Sequence, residues 1–179
     1  MTRYGMAIDL RRCIGCQACA AACKIANNLP KELTYNVVYT KTDDDFDTIG
    51  TAVSRGALAN DNAGGTFPNC TLNFLPMQCQ HCADPACLSV CPTGATQQRE
   101  DGIVWVDPEL CIGCESCLTG CPYGVRQLNP KTNTIEKCTL CFQRKNDENW
   151  VPACVHNCCC GARYFGDLDD PDSSAAKAV

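Results

Sequence analysis

The sequence predicts an α+β fold of short strands and short helices, arranged as two related halves around thiol-rich centres. Three observations predict it. Cysteine makes up 19 of 179 residues, above the roughly 8–10% that already marks a Cys-rich class. The cysteines arrive in four tight groups whose spacings repeat. The apolar fraction of 45% counts cysteine, and without it only about a third of the chain is apolar, so metals or disulfides must supply much of the core.

The elements follow in chain order. A strand is expected over residues 4–9, leading into Cys13, Cys16, Cys19 and Cys23, a C-x2-C-x2-C-x3-C run with a helix over 17–24. Residues 31–70 are polar, rich in Thr, Asp, Asn and Gly, and carry the run Asp43-Asp44-Asp45; they read as an insertion or partner-facing loop. Cys79, Cys82, Cys87 and Cys91 form the second group, C-x2-C-x4-C-x3-C followed by Pro92, with a helix over 85–90. Asp101-Gly102 is a hairpin turn before a strand over 103–106. Cys111, Cys114, Cys117 and Cys121 repeat the first spacing, followed by Pro122, with a helix over 115–120 and a strand over 125–129. Cys138, Cys141, Cys154 and Cys158 form the fourth group, with a middle gap of twelve residues, before a strand over 162–166. The tail from Asp167 is acidic, then small and polar, and is expected on a surface.

The C-x2-C-x2-C-x3-C-P run is the bacterial ferredoxin signature, in which three thiolates hold one 4Fe-4S cube and the fourth reaches the other cluster of a pair. Gly15 and Gly113 permit the close backbone approach, and Pro92 or Pro122 blocks continuation of the helical turn. The repetition extends beyond the cysteines. Ile8-Asp9-Leu10-Arg11-Arg12-Cys13-Ile14-Gly15-Cys16 matches Val106-Asp107-Pro108-Glu109-Leu110-Cys111-Ile112-Gly113-Cys114, and Gly94, Gly124 and Gly161 each stand three residues after a closing cysteine.

Other chemistries fit less well. Zinc suits the spacing of the fourth group taken alone, and an odd count leaves one cysteine unpaired in any internal disulfide scheme. No G-x-G-x-x-G, Walker loop or C-x-x-C-H is present. A net charge of −5 and a pI near 4.9 argue against nucleic-acid binding. No run of about 18 apolar residues predicts a membrane span, and the N-terminal stretch lacks the apolar segment of an export signal. The protein is therefore expected in the cytoplasm or exported with a signal-bearing partner.

Further residues carry a resemblance. Tyr4-Gly5-Met6-Ala7-Ile8-Asp9, Asn27-Asn28-Leu29-Pro30, Phe74-Leu75-Pro76-Met77-Gln78-Cys79-Gln80-His81-Cys82, Cys121-Pro122-Tyr123-Gly124-Val125-Arg126, Lys137-Cys138-Thr139-Leu140-Cys141 and Phe165-Gly166-Asp167-Leu168-Asp169-Asp170-Pro171 together resemble the iron-sulfur subunit of dimethyl sulfoxide reductase-type molybdopterin enzymes. The resemblance spans nearly the whole chain. It implies two pseudo-symmetric ferredoxin-like halves, residues 1–30 plus 132–168 and residues 71–131, with 31–70 inserted and 169–179 as a tail.

It also implies four 4Fe-4S clusters, held by Cys13, Cys16, Cys19 and Cys158; Cys23, Cys138, Cys141 and Cys154; Cys79, Cys82, Cys87 and Cys121; and Cys91, Cys111, Cys114 and Cys117. Two departures stand out: Cys159-Cys160 follow Cys158 where the family has Pro, and the chain ends at Val179 where many relatives continue. Cys159, in the slot of Pro92 and Pro122, is expected to point away from its cluster. Cys70 reads as a small buried hydrophobe, and Cys159 and Cys160 read likewise, against a regulatory or alternative-ligand role for that pair.

Fully thiolate-ligated iron has no open position for substrate, so no catalytic residue is assigned and the expected role is electron transfer. Its implied partners are a large molybdopterin catalytic subunit and a membrane anchor or other electron donor, in an anaerobic respiratory setting. Lys24, Lys137 and Arg126 are candidates for raising cluster potentials, against simple solvation, and His81 is either structural or close to a cofactor. A free-standing polyferredoxin carrier and a zinc-stabilised interaction module are the alternatives.

Overall fold

The computed structural model describes residues 2–41, 64–146 and 150–179. The elements, in chain order, are β1 (Tyr4–Ile8), α1 (Ala18–Ala26), β2 (Asn36–Lys41), β3 (Gly64–Thr66), β4 (Asn69–Thr71), β5 (Asn73–Gln78), α2 (Ala86–Ser89), β6 (Thr96–Gln98), β7 (Val104–Val106), α3 (Ser116–Thr119), β8 (Gln127–Asn129), β9 (Thr134–Glu136), α4 (Ala153–His156) and β10 (Arg163–Asp167). They form an α+β assembly of five two-stranded antiparallel ladders: β1 with β10, β2 with β5, β3 with β4, β6 with β7 and β8 with β9.

The ladder between β1 and β10 joins the two ends of the sequence, Tyr4 opposite Asp167 and Ile8 opposite Arg163. Helix α1 packs on α4 beside it, while α2 packs on α3. The helices of the first and fourth cysteine groups are thereby brought together, as are those of the second and third. The Tyr4 amide donates to the Asp101 carbonyl at 3.1 Å and ties β1 to the turn before β7.

Helix α1 forms because Ala18, Ala20, Ala21, Ala22 and Ala26 lose no side-chain entropy in a helix. Lys24 in its last turn suits the dipole. The Lys24 ammonium donates to the carbonyls of Pro30 at 2.6 Å, Lys31 at 3.0 Å and Leu33 at 2.7 Å. Its charge therefore fastens the loop after the helix.

Two expectations are corrected here. Residues 31–70 are not loop throughout: Asn36–Lys41 form β2, paired residue for residue with β5, and Asn36, Val37, Val38, Tyr39 and Thr40 are buried. Val38 packs against Cys19 and Cys154, so this segment is a wall of the thiol-rich interior, for which its apolar centre is required. The acidic run Asp43-Asp44-Asp45 lies outside the described residues. Cys70 is exposed on β4 rather than buried, because all three residues of that strand face solvent.

The tail runs over the surface but is anchored. Ser174 Oγ donates to the Phe165 carbonyl at 2.8 Å, and Ala175 is fully buried.

The interior mixes hydrocarbon with sulfur. Ile103, fully buried, groups with Cys138 and Leu140, and Tyr4, Met6, Cys79, Trp150 and Phe165 pack around them. Trp150 stacks edge-on against Tyr4 and Phe165 with centroids 4.6 and 4.9 Å apart. Because Ile103 fills space between sulfurs, Ile103→Ala should leave a void and cost about 2–4 kcal/mol. The check is a lowered thermal midpoint of the metal-loaded protein at unchanged iron content.

Candidate metal centres

Each cysteine group opens with a C-x2-C step, and the residue before its second cysteine has a left-handed backbone: Gly15 at φ 67°, His81 at 45°, Gly113 at 68° and Leu140 at 53°. All four groups make the same tight loop. Glycine relieves it at two positions, where a Cβ at Gly15 would run into the Phe74 ring and one at Gly113 into the Asn133 carbonyl. His81 and Leu140 hold the same conformation at a cost of about 1–2 kcal/mol each. Sequence reasoning singled out the two glycines and missed the other two residues, since neither type signals a positive φ.

Each loop leads to a short helical turn that carries a C-x3-C pair: Cys19 and Cys23 on α1, and Cys87 and Cys91, Cys117 and Cys121, Cys154 and Cys158 at α2, α3 and α4. Residues four apart share one helix face and are displaced about 6 Å along its axis.

The electrostatics of the thiols show which groups meet. Burial raises the Cys13 thiol, and the neighbouring Cys19 and Cys158 add to the shift while Arg163 opposes it. Burial pushes Cys23 up to about 12, with Cys154 and Cys141 adding. Cys138 is raised well above its usual value by burial, then by Cys154, Cys23 and Cys79. Burial also raises Cys82, with Cys79 and Cys121 adding.

One cavity is lined by Cys79, Cys82, Cys87 and Cys121 together, closed by Val104 and Arg126. Cys117 is raised by burial, opposed by Arg126 and assisted by Cys91. At Cys91, burial is outweighed by hydrogen bonds from Thr96 and Thr93, and the thiol falls to about 7. Cys114 is exposed and lowered by hydrogen bonding to Ser116, against the charge of Cys91. Cys111 Sγ accepts the Ile135 amide at 3.3 Å.

Buried cations lie among these sulfurs. Arg126 Nη2 donates to Cys87 Sγ at 2.8 Å and its Nη1 to Thr96 Oγ1 at 3.1 Å, while its charge also acts on Cys117. Arg163 Nη2 donates to Cys19 Sγ at 3.4 Å and Asn36 Oδ1 at 2.9 Å, and its charge acts on Cys154. Lys137, 2% exposed, donates to the carbonyls of Cys138 and Val104 and lies within the fields of Cys79, Cys138 and Cys87. Arg163 was missing from the expected cations. Its position was legible, because it stands five residues after Cys158 as Arg126 stands five after Cys121.

The donor set fits iron-sulfur clusters. Backbone amides of Thr96, Ile135, Leu140 and Ala162 donate to Cys91, Cys111, Cys138 and Cys158 at 3.3–3.4 Å, an arrangement that favours thiolate over thiol. His81 Nδ1 accepts the Val104 amide at 3.0 Å, which puts the ring proton on Nε2, and that buried nitrogen has no protein partner. Asn36 Nδ2 is the second such orphan. Both stand beside thiol sets, where sulfur acceptors of a bound cluster would satisfy them.

Cys159 and Cys160 depart from expectation. Cys159 is exposed and Cys160 half-buried. Cys159 does not turn away: its Sγ is 3.4 Å from Cys16 Sγ and 3.6 Å from Cys160 Sγ. The backbone after Cys158 carries it across the first cysteine loop, where it meets the exposed Cys16.

Comparison with known proteins gives consistent findings. A family model described as a 4Fe-4S dicluster domain matches residues 70–168. The chain is 41% identical, over its full length, to 71% of a Halobacterium salinarum protein assigned as a dimethyl sulfoxide reductase iron-sulfur subunit. Over 99% of its length it is 41% identical to a tetrathionate reductase subunit of Salmonella typhimurium, of which it spans 63%. Over 95% it is 38% identical to the thiosulfate reductase electron transfer subunit of Salmonella typhi, of which it spans 79%.

The metal-free thiols of this interior are protonated at neutral pH wherever burial raises them, so loading must release protons and should strengthen as pH rises from about 7 to 9. Chelation under reducing conditions should abolish the cooperative melt. Calorimetry of the stripped chain checks this, and a sharp transition retained without metal would contradict it.

Proposed function

The chain belongs to the 4Fe-4S dicluster-domain family, and we propose that it is an electron-transfer subunit holding four 4Fe-4S clusters beside a molybdopterin catalytic subunit. The ligand sets of this reading are Cys13, Cys16, Cys19 and Cys158; Cys23, Cys138, Cys141 and Cys154; Cys79, Cys82, Cys87 and Cys121; and Cys91, Cys111, Cys114 and Cys117. The observation that carries it is geometric: one cavity is lined by Cys79, Cys82, Cys87 and Cys121 together, and α1 packs on α4 as α2 packs on α3. The neighbouring charges that act on Cys13, Cys23, Cys82 and Cys117 include Cys158, Cys154, Cys121 and Cys91 in that order, which supports the cross-paired sets.

When bound, such clusters supply one-electron exchange without an open iron for substrate. The chain's residues set the conditions for it. Arg163 lies between the first two sets, Lys137 between the second and third, and Arg126 between the third and fourth. A cation in each gap favours added negative charge on either side and so raises the potential at both.

The sets run in series, and exposed sulfurs stand at the two extremes: Cys16 with exposed Ile14, and Cys114 with exposed Ile112. We assign these as the faces toward the electron donor and acceptor. One of them is the catalytic subunit and the other a membrane anchor or redox protein. Among the described residues no helix is long and apolar enough to cross a membrane.

Iron analysis tests the reading. Anaerobically reconstituted protein should hold about sixteen irons per chain; about eight, or stoichiometric zinc in the fourth group, would refute the four-cluster assignment. The cation role has its own readout. Arg126→Gln should lower two cluster potentials by something on the order of 50–100 mV, the scale of one charge at close range in a partly polar interior, with Arg126→Lys recovering part of the shift in a spectroscopic redox titration.

A further inference from the structure

We propose that Cys159 is a reserve ligand for the iron position assigned to Cys16, so that the first centre keeps four protein sulfurs when Cys16 is lost. The inference rests on the reading of Cys16 as a cluster ligand. It starts from three thiols, Cys16, Cys159 and Cys160, whose sulfurs all lie within 4.8 Å of one another. The ligand set is already complete without Cys159, because Cys158 acts on Cys13 and accepts the Ala162 amide at 3.3 Å. Cys159 is thus a surplus thiol held against a ligand sulfur.

Distance makes the exchange feasible. Metal–thiolate bonds are about 2.3 Å long, so sulfurs that approach to 3.4 Å can serve one metal in turn with a side-chain rotation and no backbone movement. The need arises at this corner because Cys16 is exposed while Cys19 is buried and Cys13 and Cys158 are half-buried. An exposed ligand sulfur is the one first reached by oxidants and alkylating agents. The exchange needs no redox partner beyond the agent that modifies Cys16: the iron–sulfur bond to the modified Cys16 breaks, the bond to Cys159 forms, and the Cys159 proton passes to solvent. Neither corresponding slot elsewhere offers this, since Pro92 and Pro122 occupy it.

The test uses the full chain, reconstituted anaerobically, with iron content, low-temperature spin resonance and peptide-level thiol alkylation as readouts. C16A should retain full iron and four-iron signals, and Cys159, open to alkylation in the unaltered protein, should become protected. C16A/C160T should behave like C16A. C16A/C159P should lose one iron per chain and show a three-iron signal when oxidised, while C159P alone keeps full iron.

Loss of that iron in C16A alone, with Cys159 still alkylated, overturns the proposal and leaves Cys16 a ligand. A C16A chain that fails to assemble where C159P assembles overturns it equally. Full iron in C16A/C159P but not in C16A/C159P/C160T would make Cys160 the reserve and overturn the proposal, whereas full iron in the triple variant would show that Cys16 is no ligand, which is a failure of the ligand assignment itself.

Discussion

The constraint on which the structure depends is the burial of sulfur that must carry negative charge. Cys19, Cys23, Cys117, Cys138, Cys141 and Cys154 occupy positions that a chain of this size would normally give to leucine or isoleucine. As thiols they are tolerable hydrophobes. As ligands they are thiolates, and ionised sulfur in a low-dielectric interior must be paired. The rest of the fold supplies that pairing through the backbone amides of Thr96, Ile135, Leu140 and Ala162 aimed at sulfur, guanidinium groups from Arg126 and Arg163, and the nearby ammonium of Lys137. An acidic protein thus keeps three of its cations inside. The short ladders and one-turn helices follow, since their task is to deliver donors and sulfurs to fixed points rather than to bury broad apolar faces.

How much of this was legible depended on the range of the interaction responsible. The cysteine loops, the C-x3-C turns, the hairpin at Asp101-Gly102 and the strands at 104–106 and 127–129 are local, and composition with spacing marked them to within two residues; the strands at 4–8 and 163–167 pair across the whole chain and were marked as closely because each flanks a cysteine group. Strand β2 is the counterexample. Val37-Val38-Tyr39-Thr40 is a run of strand formers, but it is short and set in a polar stretch, and its stabilisation comes from β5, more than thirty residues on, and from the sulfurs beneath. Cys70 and Cys159 failed for a related reason. A cysteine's burial is a property of what surrounds it, and residue type alone assigns it to the interior by default.

The cations show the same division more sharply. Lys24, Lys137 and Arg126 all flank ligand cysteines or their trailing turns, and sequence proximity treated them alike. In space they part company: Arg126 donates to the Cys87 sulfur, Lys137 donates to two backbone carbonyls within the fields of Cys79, Cys138 and Cys87, and Lys24, at the C-terminal end of α1, donates to three backbone carbonyls. Arg163 had the better claim from the repeat, at the same offset from Cys158 as Arg126 from Cys121. Position within the repeat predicts orientation because it fixes which turn the residue follows. Adjacency to a cysteine does not.

The repeat also explains why the fourth group tolerates its irregularities. Its first pair holds the left-handed turn with Leu140 where two other groups use glycine, and its closing turn carries Cys159 where two others use proline. Both substitutions weaken the local determinants of the loop. Long-range contacts replace them: Leu140 is locked into the cluster with Ile103 and Cys138, the Trp150 indole donates to the Cys141 carbonyl at 2.9 Å, and Arg163 on β10 is held by Asn36 of β2 and opposite Ile8 of β1. A group whose two cysteine pairs lie twelve residues apart cannot be closed by its own loop. It is closed by β1, β2 and β10, so the centre proposed for Cys23, Cys138, Cys141 and Cys154 depends on strands from both ends of the chain, whereas the ladder of β6 with β7 and the packing of α2 on α3 are contained within residues 86–119.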